Sequence, residues 1–549
     1  MYRRESRFRC IRPLRWYVRL WNDRVVPFSF EGVEAGRETR GHRFLGKSVL
    51  TLDRADSYLD QLRANFVLAD LEERRQRVQQ GLEMQPGSGY QVVEDQSLFE
   101  TVLYLNEYPT VIRGEFDGKF LDIPEEVLIT VMRFHQKYFA VREDAGALAP
   151  FFLTVINTNG DPTGAIRSGH EKVLKARLED AAFFWEMDRK KSLAERREML
   201  SHILFQENLG TYLDKSKRIE KISSALSSDL HLKEAARLCK ADLTTDMVRE
   251  LTELQGIMGG LYAREEGYPE DVWTAIYDHY RPGSLEDESP RNITGALLSL
   301  ADRIDTIAGC FAVGIIPSGS SDPFALRRQG QGLVKIILDH NLKISLSSLI
   351  DLALENFSSL VSGLDSLRSE LLDFLSRRVR FVFQSQGYPY DVLNAVFARG
   401  VDQPLDAWRR ADALQRIRHE EDFAAVAGAY KRMKNILTQA GDHKRALRRD
   451  LLEEVEEQEL YGSYERTQPI VENLCQSGEY EQALKELGRL RTVVDRFFDT
   501  VLVMAPDPEV RHNRLALLEE IASLFSSIAD ISEIVRDGST PHPGDSQPQ

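Results

Sequence analysis

At 549 residues the chain is too long for one hydrophobic core and should divide into roughly three or four domains. Its 42% hydrophobic and 29% charged content is that of a globular protein, with no apolar run near the roughly 20 residues of a membrane helix and no secretory-type apolar stretch in MYRRESRFRC, so cytoplasmic residence without a membrane partner is expected. The formal net charge of −15 makes the surface as a whole repel nucleic acid, so any RNA must be held by local basic patches.

Residues up to VVPFSFEGVEAGRETRGHRF mix β-branched and aromatic residues with glycines, which predicts short strands joined by turns. From Ser97 to Asn159 the apolar runs TVLYL, PTVIRGEF and FFLTVINT flank a helical segment, PEEVLITVMRFHQKYF, that starts on Pro124, Glu125 and Glu126; this part reads as α/β. After Asn159 segments such as EKVLKARLEDAAFFWEMD repeat apolar residues every three or four positions, and the rest of the chain is predominantly helical. Near the C-terminus Leu484, Leu487, Leu490, Val494, Phe497 and Val501 form one stripe and Leu517, Ile521, Leu524, Ile528 and Ile531 another, which predicts two packed helices joined through VMAPDPEVRHNR. The final GSTPHPGDSQPQ has no apolar residue and is expected to be a disordered tail. Cys10, Cys239, Cys310 and Cys475 are far apart and form no CxxC pair, so they read as reduced packing residues.

The clearest catalytic candidate is a histidine-aspartate metal hydrolase site, because Asp302 and Asp305 of ADRID would share a helix face. That chemistry needs several imidazole and carboxylate ligands, normally including a contiguous His-Asp pair. Where the pair would fall the chain reads LCKADLTTDMV, with Lys240 and Ala241 before Asp242, and a lysine ammonium cannot bind a divalent cation. Asp242, Asp302 and Asp305 therefore read as helix caps or ion-pair partners, and no metal is expected. In IIPSGSSDPFALRRQG the residues Asp322 and Pro323 make a strong helix start, but Asp322 puts negative charge where a phosphate would sit. His42 and His135 have no second histidine at i+4 and read as structural. Basic clusters occur at Arg377, Arg378 and Arg380; at Arg409, Arg410, Arg416 and Arg418; at Lys431, Arg432 and Lys434; and at Lys444, Arg445, Arg448 and Arg449. Each alone fits a solvated helix face, yet their crowding makes the C-terminal third the best candidate for phosphate contacts.

IRPLRW, TRGHRFLG, DIPEEVLITVMRFHQKYF, HEKVLKARLEDAAFFWEMD, FQENLGTYLDKSKRI, CKADLTTDMV, ELQGIMGGLYA, ADRIDTIAGCFAVGIIPSGSSDPFALRR and VDRFFDTVLVMAPDPEVRHNRLALL together resemble the β subunit of bacterial glycyl-tRNA synthetase over nearly the whole chain. The resemblance implies a multidomain, mostly α-helical α+β protein: a remnant of a β-rich domain at 1–35, a module at 36–165 similar to one in phenylalanyl enzymes, a degenerate histidine-aspartate (HD-type) helical domain at 166–345, a helical linker at 346–425, a helical anticodon-binding (DALR-type) domain at 426–537 and the tail at 538–549. It also implies a further N-terminal segment, so the chain looks shortened at its start. The implied partners are a glycyl-tRNA synthetase α subunit, in an α2β2 tetramer, and tRNA(Gly). The implied activity is glycine–tRNA ligation, with no cofactor bound by this chain, ATP and Mg used on the α subunit, and no catalytic residue here. The tRNA contacts expected are Lys431, Arg432, Asn435, Arg491, Arg511, Asn513 and Arg514, with Phe497 and Phe498 assigned to the core. A metal-dependent phosphohydrolase and a helical scaffold with no RNA role are the competing readings.

Overall fold

The computed structural model describes residues 14–358, 360–361, 363–441 and 446–534; Cys10, Lys444, Arg445 and the tail 538–549 lie outside the described residues. The chain forms two compact units, one running to Arg196 and including Asp242–Tyr262, the other comprising Arg197–Ala241 and the chain from Ala263.

The first unit opens with short strands, as the composition predicts. Tyr17–Val18 runs parallel to Val33–Gly36, and Ser29–Phe30 pairs antiparallel with it across a turn whose Glu31 and Gly32 have φ of 51° and 75°. Positive φ at both central residues is the tight-hairpin geometry that matches strand twist. A second hairpin, Leu20–Trp21 with Arg24–Val25, turns at Asn22, φ 52°.

Next comes a four-stranded antiparallel sheet in the order Tyr90–Val92, Tyr138–Glu143, Leu148–Asn157, Pro109–Glu115. Helices Leu71–Met84 and Gln96–Leu105 bury Val78, Leu82, Leu98, Val102 and Leu103 against Val111, Phe139, Val141, Phe151 and Leu153 of this sheet. A Cβ on Gly81 would stand 2.4 Å from Val111 Cγ2, so glycine is what allows the helix to approach the sheet this closely. The apolar run TVLYL is the end of a helix capped by Asp95, whose carboxylate accepts from Leu98 N at 2.9 Å. The helix that starts at Glu125 widens into a π-turn over Val131–Gln136 and stops at Lys137, φ 59°. Tyr138 and Phe139 then enter the sheet, where Tyr138 stacks on Phe152 at 4.3 Å. Packing in the sheet overrides the helical reading of KYF.

The long helix Ala165–Asp188 completes this unit. Its last residue, buried Asp188, accepts from Asp246 N, Met247 N and the Tyr262 hydroxyl, and pairs with Arg196 at 2.9 Å. Asp242 accepts from Gly256 N at 2.6 Å and Gly259 N at 3.3 Å, which caps Ile257–Glu265.

The second unit is a stack of helices around Ile293–Ala312, whose residues Thr294–Gly295–Ala296 and Leu298–Phe311 are buried. Tyr212–Leu226, Leu230–Leu238, Glu270–Asp278, Leu326–Asp339 and Leu346–Leu354 pack directly on it. The helix read as starting at Asp322 begins at Leu326 instead. Ala325 turns left-handed, φ 51°, and the Asp322 carboxylate caps from a distance, accepting from Leu326 N at 2.7 Å and Arg327 N at 3.1 Å. Further on, Leu364–Ser385, Tyr390–Phe397 and Pro404–Ile417 precede the last domain: Glu421–Ala440, Val455–Ser477, Tyr480–Gly488, Arg491–Thr500 and Pro508–Ser526. The stripe from Leu484 to Val501 lies on two helices that break at Arg489 and Leu490, yet every residue of both stripes is buried. Phe497 and Phe498 are core, as read. No helix among the described residues is long and apolar enough to cross a membrane.

Candidate nucleic-acid interface

The metal-hydrolase candidate is settled by which atoms stand around Asp302 and Asp305. One turn apart on the buried helix, both carboxylates meet Lys215: its Nζ lies 2.9 Å from Asp302 Oδ1, 3.1 Å from Asp305 Oδ2 and 2.7 Å from Thr306 Oγ1. Arg218 grips Asp305 with Nε at 2.7 Å and Nη2 at 3.2 Å. On the other side, fully buried Lys240 places Nζ 2.6 Å from Asp302 Oδ2, 2.9 Å from His279 Nε2 and 3.8 Å from the Tyr280 ring centroid. Ammonium groups therefore occupy the positions a divalent cation would need, and the residues do not fit a metal. No group of three or more His, Cys, Asp or Glu among the described residues could hold one.

The electrostatics follow from this geometry. Burial alone would raise the Asp302 carboxyl, but Lys215 and Lys240 hold it far below the usual carboxylate range. Burial, reinforced by the Lys240 charge, pushes His279 down to about 3. The imidazole is therefore neutral: Nδ1–H donates to Ile276 O at 2.6 Å, and Nε2 accepts from Lys240. Asp302 and Asp305 are ion-pair partners and Asp242 is a cap, the roles read for them from sequence.

The C-terminal helices give a more open face. Helix Glu421–Ala440 buries Phe423, Tyr430 and Met433 and leaves Lys431, Arg432 and Asn435 exposed, spaced three and four residues apart and so on one face. Arg432 lies over the Phe498 ring at 4.3 Å. Half-buried Arg511 donates to Ala505 O at 3.5 Å, and half-buried Arg491 has Nε 3.8 Å from Asp495.

Asn513 and Arg514, expected as tRNA contacts, are instead turned inward. Asn513 accepts from Arg448 N at 2.7 Å and donates to Arg448 O at 2.9 Å, pinning an extended segment. Arg514 Nε stands 2.6 Å from Oε1 of fully buried Glu457, and its Nη1 donates to Leu502 O at 2.8 Å. Glu457 Oε2 in turn accepts from Glu453 N and Glu454 N, both at 2.8 Å, closing the start of Val455–Ser477. These two residues hold the domain together.

Several members of the basic clusters are also committed. Arg410 pairs with Asp406, Arg416 with Asp412, Arg418 with Asp391, Lys434 with Asp530, Arg448 with Asp450 and Arg449 with Glu465. Arg380 donates to Asn394 at 3.0 Å and lies over Phe397. His42 is structural, as read: it is buried, with Nε2 3.0 Å from Asn157 O, while His135 is exposed.

A family model described as glycyl-tRNA synthetase beta subunit matches residues 1–398, and one described as DALR anticodon binding domain matches residues 426–534. The chain is 44% identical over 554 residues to the glycine–tRNA ligase β subunit of Acidobacterium capsulatum, 42% over 540 residues to that of Moorella thermoacetica and 42% over 537 residues to that of Chromohalobacter salexigens. Each alignment covers 96% of this chain and 78% of the relative. The chain therefore belongs to the glycyl-tRNA synthetase β-subunit family, a family of aminoacyl-tRNA synthetase subunits, and carries an anticodon-binding domain over residues 426–534.

Proposed function

We propose that this chain grips tRNA(Gly) and presents its terminal adenosine to the active site of a separate α subunit, within a cytoplasmic α2β2 assembly. ATP and Mg act on the α subunit, and this chain contributes positioning, which converts a bimolecular encounter into an oriented one. The observation that carries the reading is the exposed face of Glu421–Ala440 within the anticodon-binding domain, where Lys431 and Arg432 suit phosphates and Asn435 suits a base edge. Arg491 and Arg511, in the first turns of Arg491–Thr500 and Pro508–Ser526, are further candidate contacts of the same domain. Lys215 and Lys240 beside Asp302 support the other half of the reading, because their ammonium groups stand where the competing metal-dependent hydrolysis would need its cation.

Binding of labelled tRNA(Gly) to the full chain, with and without exchange of the anticodon bases, tests this. Lys431→Glu with Arg432→Glu should weaken binding and lower the salt slope by about two, and Asn435→Ala should reduce the discrimination between anticodons. Unchanged affinity and discrimination in both variants would remove this helix face from the proposal.

A further inference from the structure

The first strands hold a second concentration of positive charge that the ion-pair pattern of the rest of the molecule does not share. Residues 14–47 contain seven Arg and Lys against four Asp and Glu, inside a chain of net charge −15. Exposed Arg40, Arg43 and Lys47 have no carboxylate within ion-pairing distance among the described residues, in contrast to the C-terminal clusters. Two of them sit beside exposed aromatic faces instead. Arg40 lies 5.0 Å over Trp16, which is 42% exposed, and Arg43 lies 5.5 Å over Phe44, which is 83% exposed.

The loop that carries them is built to hold its shape. Buried His42 accepts from Phe44 N and Leu45 N at Nδ1, both at 3.3 Å, and is tied through Nε2 to Asn157 O at 3.0 Å. Gly41 N donates to Lys47 O and Gly46 N to His42 O, each at 2.9 Å, and a Cβ on Gly46 would stand 2.4 Å from Asn65 O. These contacts account for the glycines and the histidine of TRGHRFLG, but none of them requires Arg40, Arg43 or Phe44. A hydrogen-bonded loop presenting guanidinium groups that have no carboxylate partner among the described residues, with an exposed phenyl ring, has the chemistry of a nucleic-acid contact, with cations for phosphates and an aromatic ring for a base.

We infer that the loop 40–47, with Trp16 beside it, is a second tRNA-binding surface, in which Arg40, Arg43 and Lys47 hold backbone phosphates and Phe44 stacks on an unpaired base. The inference rests on the reading of the chain as a tRNA-binding subunit.

The test is fluorescence anisotropy of labelled tRNA(Gly) with the full chain over a salt series. Arg40→Gln with Arg43→Gln should raise Kd about tenfold or more near 0.1 M salt and reduce the slope of log K against log salt by about two. Arg43→Lys keeps the charge and should keep the slope. Phe44→Leu should raise Kd about fivefold or more at unchanged slope, the signature of lost stacking, and it carries the test if the double variant does not fold. Variants that bind as wild type while Lys431→Glu with Arg432→Glu weakens binding would overturn this inference and leave the anticodon-domain reading standing. If wild type binds tRNA(Gly) no better than polyuridylate of equal length, the underlying reading is what fails. Retained tRNA affinity with lost association to the α subunit, measured by sedimentation, would make the loop a protein interface and overturn the inference.

Discussion

Lowering the pH from 7 to 5 perturbs the buried Lys240–His279–Asp302 cluster at one identifiable atom. His279 Nε2 accepts from the Lys240 ammonium 2.9 Å away, so protonating it would place two positive charges in contact. Its pKa in the folded chain is pushed from the ordinary 6.5 down to about 3. Above pH 6.5 the imidazole is neutral whether the chain is folded or not, and the stabilisation is fully present. As pH falls below 6.5 the unfolded chain takes up a proton that the folded chain refuses, and stability declines by about 1.4 kcal/mol per pH unit until about pH 3. At pH 5 the loss from this single group reaches about 2 kcal/mol. His279→Gln keeps an acceptor for Lys240 but does not titrate. The unfolding free energy from urea titration of the second unit's transition, taken at pH 7 and pH 5, should therefore drop less in the variant than in wild type by that amount. Carbon-13 spectra of labelled histidine should show one ring that stays neutral to below pH 5. A His279 signal that titrates near 6.5, or identical pH dependence in the two proteins, would refute the argument.

Arg514→Met leaves buried Glu457 without its cation and should cost about 3–5 kcal/mol in thermal or urea unfolding, the usual result of breaking a buried pair. Asp322→Ala removes the acceptor for two amides at the start of Leu326–Asp339 and should cost about 1 kcal/mol in the same assay. Equilibrium dialysis against Zn2+ or Mn2+ should show no stoichiometric retention, because Lys215 and Lys240 hold the carboxylates; one metal per chain would contradict that assignment.

Periodicity carried most of the helical architecture, because the apolar stripes that bury against one another are local in sequence. Both C-terminal stripes are buried to the last residue, even though one of them spans a helix break that periodicity does not register. The reading failed where tertiary context decided the outcome. KYF has a helical pattern but joins the sheet. At the interface, polar residues of RHNR looked available to RNA, and no local signal distinguishes an arginine that will find a buried glutamate 57 positions away from one left in water. Lys240 was legible as the wrong residue for a metal, but Lys215 as the second ammonium was not, since its partners lie 87 to 91 positions further on. The N-terminal cations are visible as a local excess of positive charge over residues 14–47, but which of them lack a carboxylate partner is decided by the fold.

The most direct test of the account is ATP-dependent charging of tRNA(Gly) with glycine by the α subunit alone, by this chain alone and by the two mixed. The account predicts charging that depends on the mixture, with this chain alone inactive. Charging by this chain alone, or a mixture no faster than the α subunit by itself, would contradict it.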